Sequence, residues 1–273
     1  MFFCNRFIKV FNILYTIILT VCCLFLFYFC FNLFIFSTYP VNSGSMMPSI
    51  SPGDRIVVNK LIFGARLYRN FDFLEGGKLQ TFRMKGFRGI SYNDVVVFNR
   101  SYPLSFDIRQ VYVKRCIGLP GDTIWIRNGQ YQNSSIKTQL LMEHFNPQST
   151  EYATDRLFEC YPYKEALHWT IWNFGPLYLP RKGDTIALNQ MNIWLYLRLI
   201  RYENGLDFHF ENDTLFLKNQ PMQTYTFREN YYFMAGDNFA NSADSRSFGP
   251  IPETFIIGVV SIKINTKLLW ERL

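Results

Sequence analysis

The sequence predicts a mostly β protein with antiparallel sheets, one N-terminal transmembrane helix and an inserted α+β subregion. Three observations support this class. A long uncharged apolar segment begins near the N-terminus. Past residue 54, short runs rich in Val, Ile, Tyr, Phe and Trp alternate with turn residues, which is typical of strands in antiparallel sheets. A single long helical pattern lies in the middle of the chain.

The predicted anchor is the segment 10–36, VFNILYTIILTVCCLFLFYFCFNLFIF. No charged residue occurs between Lys9 and Asp54. As a helix the segment is about 40 Å long, which is enough to cross a hydrocarbon core of about 30 Å with some tilt. Arg6 and Lys9 precede it without any acid, so the positive-inside tendency predicts a cytoplasmic N-terminus, residues 1–9, and a body on the far side of the membrane.

There are two alternatives to a retained anchor. A buried helix of a soluble protein is disfavoured because the segment is so long and so uniformly apolar. A cleavable signal peptide has a shorter apolar core and a small-x-small exit, whereas this exit reads FSTYPVNSGS. A cut after Ser37 or Ser43 stays open as the alternative.

The body is expected to consist of a β domain, residues 37–129 and 211–273, interrupted by a subregion at 130–210. That subregion contains no assignable motif, and we interpret it as noncatalytic. It carries the clearest helical candidate, 189–204. The predicted strands lie in the runs DRIVVNKLIF, NDVVVFNR, VYVKRCIG, DTIWIRNG, DTIALN, DTLFLKNQ, NYYFMAGD and FIIGVVSIKIN.

Charge and cysteine content narrow the class of partner. The net charge is +7, but basic residues are scattered among acids, so membrane lipid is favoured and nucleic-acid binding is not expected. Four of the six cysteines lie in the first thirty residues, where they are interpreted as small apolar side chains. Cys116 and Cys160 would be able to bridge in an extracytoplasmic body, and the sequence leaves that pairing open.

The usual hydrolase patterns are missing from the sequence. His144, His168 and His209 lie in neither a Gly-x-Ser-x-Gly nor a His-Glu-x-x-His motif, so a Ser-His-Asp triad is unsupported. There is no Cys-x-x-Cys and no glycine-rich phosphate loop, so neither a metal nor a cofactor is expected. SSIK, residues 134–137, has Ser-x-x-Lys spacing without its partner motifs and is interpreted as a polar turn.

A serine nucleophile without histidine needs another base, and a buried lysine can serve. In VYVKRCIGLPGD, Lys114 is predicted to share a strand face with Tyr112, while Arg115 points to the opposite face. Lowering the pKa of a lysine by about two units leaves roughly half of it neutral at pH 8. The alternative is a lysine that extends its charged end into solvent.

Four sequence motifs in a fixed order support a serine nucleophile with a lysine base. They are SGSMMPS shortly after the anchor, NDVVVFNR, YVKRCIGLPGD and GDNFANSADSRSFGPIP. Together they resemble bacterial type I signal peptidases, also called leader peptidases, over residues 39–128 and 231–262. The resemblance implies an antiparallel coiled-sheet catalytic domain of the signal-peptidase type. It also implies a single-pass anchor in the bacterial inner membrane, with the catalytic domain on the extracytoplasmic side.

The resemblance implies that Ser45 is the nucleophile and Lys114 its general base. The Ser45 backbone N–H and the Ser43 hydroxyl would form the oxyanion hole. Gly44 is expected to allow the tight turn that exposes this N–H, and Pro48 to stiffen the turn that follows.

A second group would support the pair. Ser242 is expected to hydrogen-bond and orient the lysine, Asp244 and Arg246 to form an ion pair, and Gly236, Asp237 and Asn238 to shape the loop. The sequence departs from the family pattern at Asn42, where proline is common, and at Asn93, where glycine is common. These departures affect loop shape and not the proton-transfer groups.

The implied substrates are preproteins emerging from the translocase, with small residues at the first and third positions before the cut, an A-x-A exit. The substrate would lie extended beside the lysine strand. The apolar residues expected to line its pockets are Val41, Met46, Ile50, Tyr112 and Val113.

Two other functions are alternatives to signal-peptide cleavage. A repressor-like self-cleaving Ser-Lys protease would carry a helix-turn-helix and no anchor, which is the reverse of this sequence. The other rival is an inactive membrane-anchored scaffold that binds exported chains, and the presence of both Ser45 and Lys114 argues against it.

Overall fold

A computed structural model of the chain describes residues 2–70, 80–102, 105–142, 144–145, 160–204, 208–211, 214–217 and 220–273. The helices in these ranges are α1 (Phe2–Phe34), α2 (Lys60–Phe63), α3 (Thr138–Met142), α4 (Gln190–Asn204) and α5 (Ser245–Phe248).

The first helix, α1, is the membrane anchor. Its stretch Lys9–Phe34 has a mean hydropathy of 2.5, and no part of the most apolar stretch is buried by the rest of the chain. So much exposed apolar surface is stable only in an apolar surrounding, and the protein is therefore membrane-anchored. The anchor was predicted to end at residue 36, but the helix ends at Phe34 and a strand begins at Phe36.

The strands follow in chain order. They are β1 (Phe36–Pro40), β2 (Arg55–Asn59), β3 (Arg66–Tyr68), β4 (Thr81–Arg83), β5 (Val95–Tyr102), β6 (Ser105–Gly118), β7 (Thr123–Arg127), β8 (Gln130–Asn133), β9 (Phe174–Tyr178), β10 (Thr185–Ala187), β11 (Phe208–Glu211), β12 (Thr214–Leu217), β13 (Gln220–Met222), β14 (Thr224–Thr226), β15 (Tyr231–Ala235), β16 (Ile251–Pro252), β17 (Ile256–Ile264) and β18 (Trp270–Arg272).

One large antiparallel sheet organises the body, as predicted. Its order is β1-β2-β17-β5-β6-β15-β16, with β18 paired to β17. The central pair β5 and β6 places Val96 opposite Lys114. Both neighbours of Val96 in β5 are buried as well as Val96 itself, so this part of the sheet is covered on both faces. A polar side chain at position 114 therefore lies in the interior.

Smaller sheets pack beside the large one. They are β8-β7-β9, β11-β12-β13, β10-β14 and β3-β4. The predicted helix at 189–204 is present as α4. Its buried Leu195 and Leu199 join a cluster that also holds Phe233 and Phe239, so the middle of the chain shares a core with the strand before the last motif. The division into a catalytic domain and an inserted subregion stays a prediction.

One run that was predicted as a strand is a strand only in its first half and continues as a short helix. In DRIVVNKLIF the strand β2 stops at Asn59, whose side chain accepts a hydrogen bond from the Leu61 N–H and caps α2. Gly64, at φ +93°, ends the turn in a conformation that favours glycine. Local capping therefore overrode a continuous apolar pattern.

Candidate active site

Ser45 lies in a single 3-10 turn, Gly44–Met46, shortly after β1. The Met47 N–H donates to the Gly44 carbonyl and closes the turn. Met46 is fully buried in a cluster with Val58 and Val97 and fixes the turn to the sheet. Ser45 is 8% exposed, so its side chain is held at the edge of the interior with limited access to water.

Lys114 points at this serine from the middle of β6. Its Nζ lies 2.6 Å from Ser45 Oγ and 3.0 Å from the Val113 carbonyl oxygen. The side chain is buried, and burial lowers the pKa of Lys114 to about 8 against the opposing charges of Asp244 and Asp237. A lysine with this pKa is neutral in about half of the molecules at pH 8 and is able to accept a proton.

Lys114 shares its strand face with Tyr112, as the alternation predicts. Lys114 Nζ lies 5.7 Å from the centroid of the Tyr112 ring. That ring in turn stacks on Phe98 and meets the edge of Phe248. The rings help to shield the lysine from water, and it is this burial that lowers its pKa.

Ser43 lies beside Ser45. Its hydroxyl is 3.3 Å from Ser45 Oγ, and its side chain is exposed. The hydroxyl is therefore available to a bound substrate without crossing the interior. Its assignment to an oxyanion hole stays a prediction.

The loop that begins at Gly236 holds the serine turn. The Asn238 N–H donates to the Ser45 carbonyl at 3.1 Å, and Asn238 Nδ2 donates to the Gly44 carbonyl at 3.1 Å. A Cβ at Gly236 would lie 2.1 Å from Ser242 Oγ and 2.5 Å from the Ser45 carbonyl oxygen. A Cβ at Gly44 would meet only the flexible Met47 side chain, so close approach requires glycine at Gly236 and not at Gly44.

Arg115 is the residue of the site that sequence reasoning missed. Its guanidinium donates to both carboxylate oxygens of Asp237, at 2.8 and 2.6 Å, inside the protein. It also donates to Ser49 Oγ and to the Asn93 carbonyl. Arg115 thus ties the lysine strand to the serine turn and to the Gly236 loop. Alternation predicted its face correctly, but no local signal identified Asp237 as its partner.

Asp244 and Arg246 form the predicted ion pair. The Arg246 guanidinium donates to both Asp244 oxygens at 2.9 and 2.7 Å, and the Gly236 N–H adds a third bond at 3.0 Å. Burial alone would raise the pKa of Asp244, but the Arg246 charge and these hydrogen bonds hold it below its usual value. Arg246 also lies over the Phe239 ring, at 4.2 Å from its centroid.

Ser242 does not make the expected hydrogen bond to Lys114. Its Oγ is buried without a hydrogen-bond partner of good geometry, although it lies near enough to Asp244 to help lower the pKa of that carboxyl. The lysine is oriented instead by Ser45 and the Val113 carbonyl. Ser242 packs closely against Gly236 and so contributes to the site by packing in this structure.

The five residues expected to line substrate pockets divide into two groups. Met46 and Ile50 have no exposed surface, so they line no pocket in this structure, and Val41 is only 4% exposed. All three belong to the core under the serine turn, because an apolar turn beside a sheet is stabilised by burial. Tyr112 and Val113 are half-buried beside Lys114.

Other singled-out residues lie away from Ser45. No disulfide joins Cys116 to Cys160, so the bridge that the sequence left open is not formed. In SSIK, Ser134 and Ser135 hydrogen-bond within the β7–β8 hairpin, to the Thr123 N–H and to Asp122, as expected for a turn.

A serine hydroxyl hydrogen-bonded to a buried lysine, on an antiparallel β body behind an apolar helix, is the arrangement of a membrane-anchored serine endopeptidase. Residues 13–265 match the family model described as signal peptidase, peptidase S26, and the chain belongs to this family.

Several relatives carry the name signal peptidase I. The chain is 28% identical to that of Buchnera aphidicola from Schizaphis graminum, over 82% of this chain and 66% of the relative. It is 26% identical to that of Pseudomonas aeruginosa, over 82% of this chain and 63% of the relative. For Aquifex aeolicus the identity is 26%, over 82% of this chain and 74% of the relative. The chain thus spans about two thirds of the length of these relatives.

Proposed function

We propose that this protein removes signal peptides from preproteins, with Ser45 as nucleophile and Lys114 as general base. The observation that carries the proposal is the 2.6 Å contact between Lys114 Nζ and Ser45 Oγ, made by a lysine that burial keeps partly neutral. Family membership and the name that the relatives share support signal peptides as the substrate class.

In the acylation step, Ser45 Oγ attacks the carbonyl carbon before the cut while its proton passes to neutral Lys114. The Ser45 N–H and Ser43 hydroxyl stabilise the oxyanion. Protonated Lys114 then gives its proton to the leaving amine as the C–N bond breaks, which leaves an ester on Ser45 and a neutral lysine. Lys114 next takes a proton from a water molecule that hydrolyses the ester, and returns that proton to Ser45 Oγ.

The setting proposed for this chemistry is the bacterial inner membrane, with residues 1–9 cytoplasmic and the site on the other side. The charges before α1 support this orientation. The site lies one short strand, β1, from the end of the membrane helix, and this proximity supports a substrate that emerges from the translocase at the membrane surface. The subregion 130–210 is proposed to be noncatalytic.

The test is cleavage of a preprotein with an A-x-A exit by the full chain in detergent. The parent is expected to cut it once, at that exit. Ser45→Ala and Lys114→Ala are each expected to lower the rate by about 10⁴-fold or more, because nucleophile and base act as a unit. Lys85→Ala removes an exposed lysine and is the matched control, with an unchanged rate.

Two outcomes would contradict the proposal. Cleavage that survives in Ser45→Ala or Lys114→Ala would remove the mechanism. A folded parent that binds the preprotein but leaves it intact would favour the scaffold, and a cooperative unfolding transition of the same preparation distinguishes this case from misfolding.

A further inference from the structure

A turn at residues 160–163 connects the subregion 130–210 to the short helix α5. The Tyr163 N–H donates to the Cys160 carbonyl at 2.7 Å and closes this turn, which is called the tyrosine turn below. It carries Tyr161, which is fully buried, and Tyr163, which is 53% exposed. The tyrosine turn belongs to the part of the chain that is proposed to be noncatalytic, yet it packs directly on α5.

Three contacts fasten α5 to the tyrosine turn. The Tyr161 N–H donates to the Arg246 carbonyl at 2.7 Å, and the Tyr163 hydroxyl donates to the Ser247 carbonyl at 2.7 Å. The Tyr161 ring lies against Gly249, where a Cβ would come within 2.5 Å of a ring carbon. Because the last carbonyls of a helix find no donor within it, the tyrosine turn supplies hydrogen bonds that α5 cannot make by itself.

Tyr161 is fixed from its other side by α4. Its hydroxyl donates to the Leu195 carbonyl in that helix. Its ring belongs to the same hydrophobic cluster as Leu195 and Leu199. Because the ring is packed and the hydroxyl is hydrogen-bonded, the tyrosine turn is a rigid support for α5.

The helix α5 carries the charge that balances Asp244. Arg246 pairs with this carboxylate at 2.7 Å. The charged groups that act on Lys114 are Asp244 and Asp237, which raise its pKa, and Arg246, which lowers it. Asp237 is paired with Arg115 on the lysine strand, so its pairing does not depend on α5. The pairing of Asp244 does depend on α5, and displacement of Arg246 would raise the pKa of Lys114.

The same helix contributes a ring to the surroundings of Lys114. The centroid of the Phe248 ring lies 5.9 Å from that of Tyr112, in edge-to-face geometry. The Tyr112 ring in turn lies 5.7 Å from Lys114 Nζ. Displacement of α5 would open this packing to water, and better solvation of the ammonium would again raise the pKa of Lys114. The electrostatic effect and the solvation effect therefore have the same sign.

We propose that Tyr161 and Tyr163 are positioning residues for the cleavage reaction, because they hold α5 in place beside Lys114. The two tyrosines contact neither Ser45 Oγ nor Lys114 Nζ in the described contacts, so they act only through α5. The effect on cleavage rests on the proposed function, whereas the effect on the lysine itself does not.

The test removes both hydroxyls and keeps both rings, in the double variant Tyr161→Phe, Tyr163→Phe. The measurement is the pH profile of kcat/KM for an A-x-A preprotein, with the full chain in detergent. The inflection is expected about half a pH unit above that of the parent, which lowers kcat/KM about threefold at pH 6.5 and leaves it almost unchanged at pH 9.5. A variant that merely contained less folded protein would lose the same factor at both pH values.

Tyr196→Phe is the matched control. Tyr196 is a buried tyrosine of α4 whose hydroxyl donates to the Tyr178 carbonyl at 3.0 Å, so the substitution removes the same kind of bond from the same core without removing a bond to α5. Its inflection is expected at the pH of the parent. Tyr163→Phe alone changes an exposed side chain and covers the case in which the double variant does not fold, with an expected loss of about twofold at pH 6.5.

Two results would overturn the proposal. One is a parent-like pH profile in both the double variant and Tyr163→Phe. The other is an equal shift of the inflection in Tyr196→Phe, because the effect would then come from any weakening of the core and not from the hold on α5.

A second measurement does not need cleavage. The pH dependence of acetylation of Lys114 by acetic anhydride, followed by peptide mass spectrometry, reports the fraction of neutral lysine. The parent is expected to have a midpoint near pH 8 and the double variant a midpoint about half a unit higher. That shift in a parent and variant that cleave no preprotein would contradict the proposed function and still support the hold on α5. Equal midpoints in the two proteins would overturn that hold, whatever their cleavage.

Discussion

Lys114 and Arg115 are neighbours on one strand, and both are buried, at 3% and 5% exposure. Their electrostatic surroundings are nevertheless opposite. Arg115 makes a two-pronged ion pair with Asp237, so its charge is matched. Lys114 contacts no carboxylate among the described residues and lies against a serine hydroxyl and a carbonyl. One cation is held for geometry, and the other is held so that it readily loses its proton.

The comparison also shows why two ion pairs surround one lysine. Asp244 and Asp237 both raise the pKa of Lys114, so a carboxylate without its arginine would raise that pKa further. Each carboxylate is engaged by an arginine instead, Asp244 by Arg246 and Asp237 by Arg115. The arginines thus allow polar side chains to shape the site without cancelling the effect of burial on Lys114.

The strongest way to break the contrast is Asp237→Asn, which leaves Arg115 buried without its counter-charge. We expect it to lower the free energy of unfolding by about 3–5 kcal/mol, since an unmatched buried charge is poorly solvated. Urea unfolding of the full chain in detergent measures it. Glu271→Gln removes the exposed partner of Lys263 and is the control, with an expected loss of about 1 kcal/mol or less.

Similar losses in the two variants would contradict the assignment of Arg115 and Asp237 as a structural pair. The double variant Arg115→Met, Asp237→Leu removes both charges at once, and we expect it to recover a large part of the stability lost in Asp237→Asn.

Lys114→Met is expected to have the opposite effect on stability. The pKa of this lysine falls from 10.5 to about 8 on folding, which at neutral pH costs about 3 kcal/mol at most, and methionine avoids that cost. The variant should therefore unfold at higher urea concentration than the parent at pH 7 while showing no cleavage.

The stability difference between the parent and Lys114→Met is expected to depend on pH. Between pH 8 and 10.5 the unfolded lysine binds more protons than the folded one, so the parent gains stability relative to Lys114→Met as the pH rises through this window. Below pH 8 the difference stays constant. A parent that is more stable than the variant at pH 7, or a difference that does not shrink above pH 8, would contradict the description of Lys114.

Ser43→Ala sharpens the contrast on the substrate side. Its hydroxyl is the exposed partner of Ser45, and we expect its loss to slow cleavage by roughly 10²-fold while acylation still occurs, because the Ser45 N–H remains as a donor. The measurement is the cleavage rate with an A-x-A preprotein. Ser43→Thr keeps the hydroxyl and should retain most of the rate, whereas an unchanged rate in Ser43→Ala would remove this hydroxyl from the oxyanion hole.

Much of this arrangement was readable in the sequence. Apolar runs between turn residues predicted the strands of the large sheet. The four motifs singled out Ser45 and Lys114, which the structure brings into contact, and predicted the pairing of Asp244 with Arg246. Strand alternation predicts Lys114 and Arg115 on opposite faces of the strand. Periodicity also identified α4.

The remainder depends on contacts between distant parts of the chain. Nothing near Arg115 points to Asp237, which is more than a hundred residues away and meets it only because β6 pairs with β15. Apolar character did not distinguish core from pocket, so Met46 and Ile50 were expected at a surface they do not reach. The motif also suggested a hydrogen bond between Ser242 and Lys114. That bond is not formed, and the Ser242 hydroxyl packs against Gly236 instead.

The most direct measurement is the pH profile of kcat/KM for preprotein cleavage by the full chain between pH 5.5 and 9.5. If neutral Lys114 is the base, the rate should rise about tenfold per pH unit at low pH and level off above an inflection near the lysine pKa of about 8. A profile that stays flat from pH 6 to 9, with substrate and protein stable throughout, would contradict the central claim that a lysine kept neutral by burial activates Ser45.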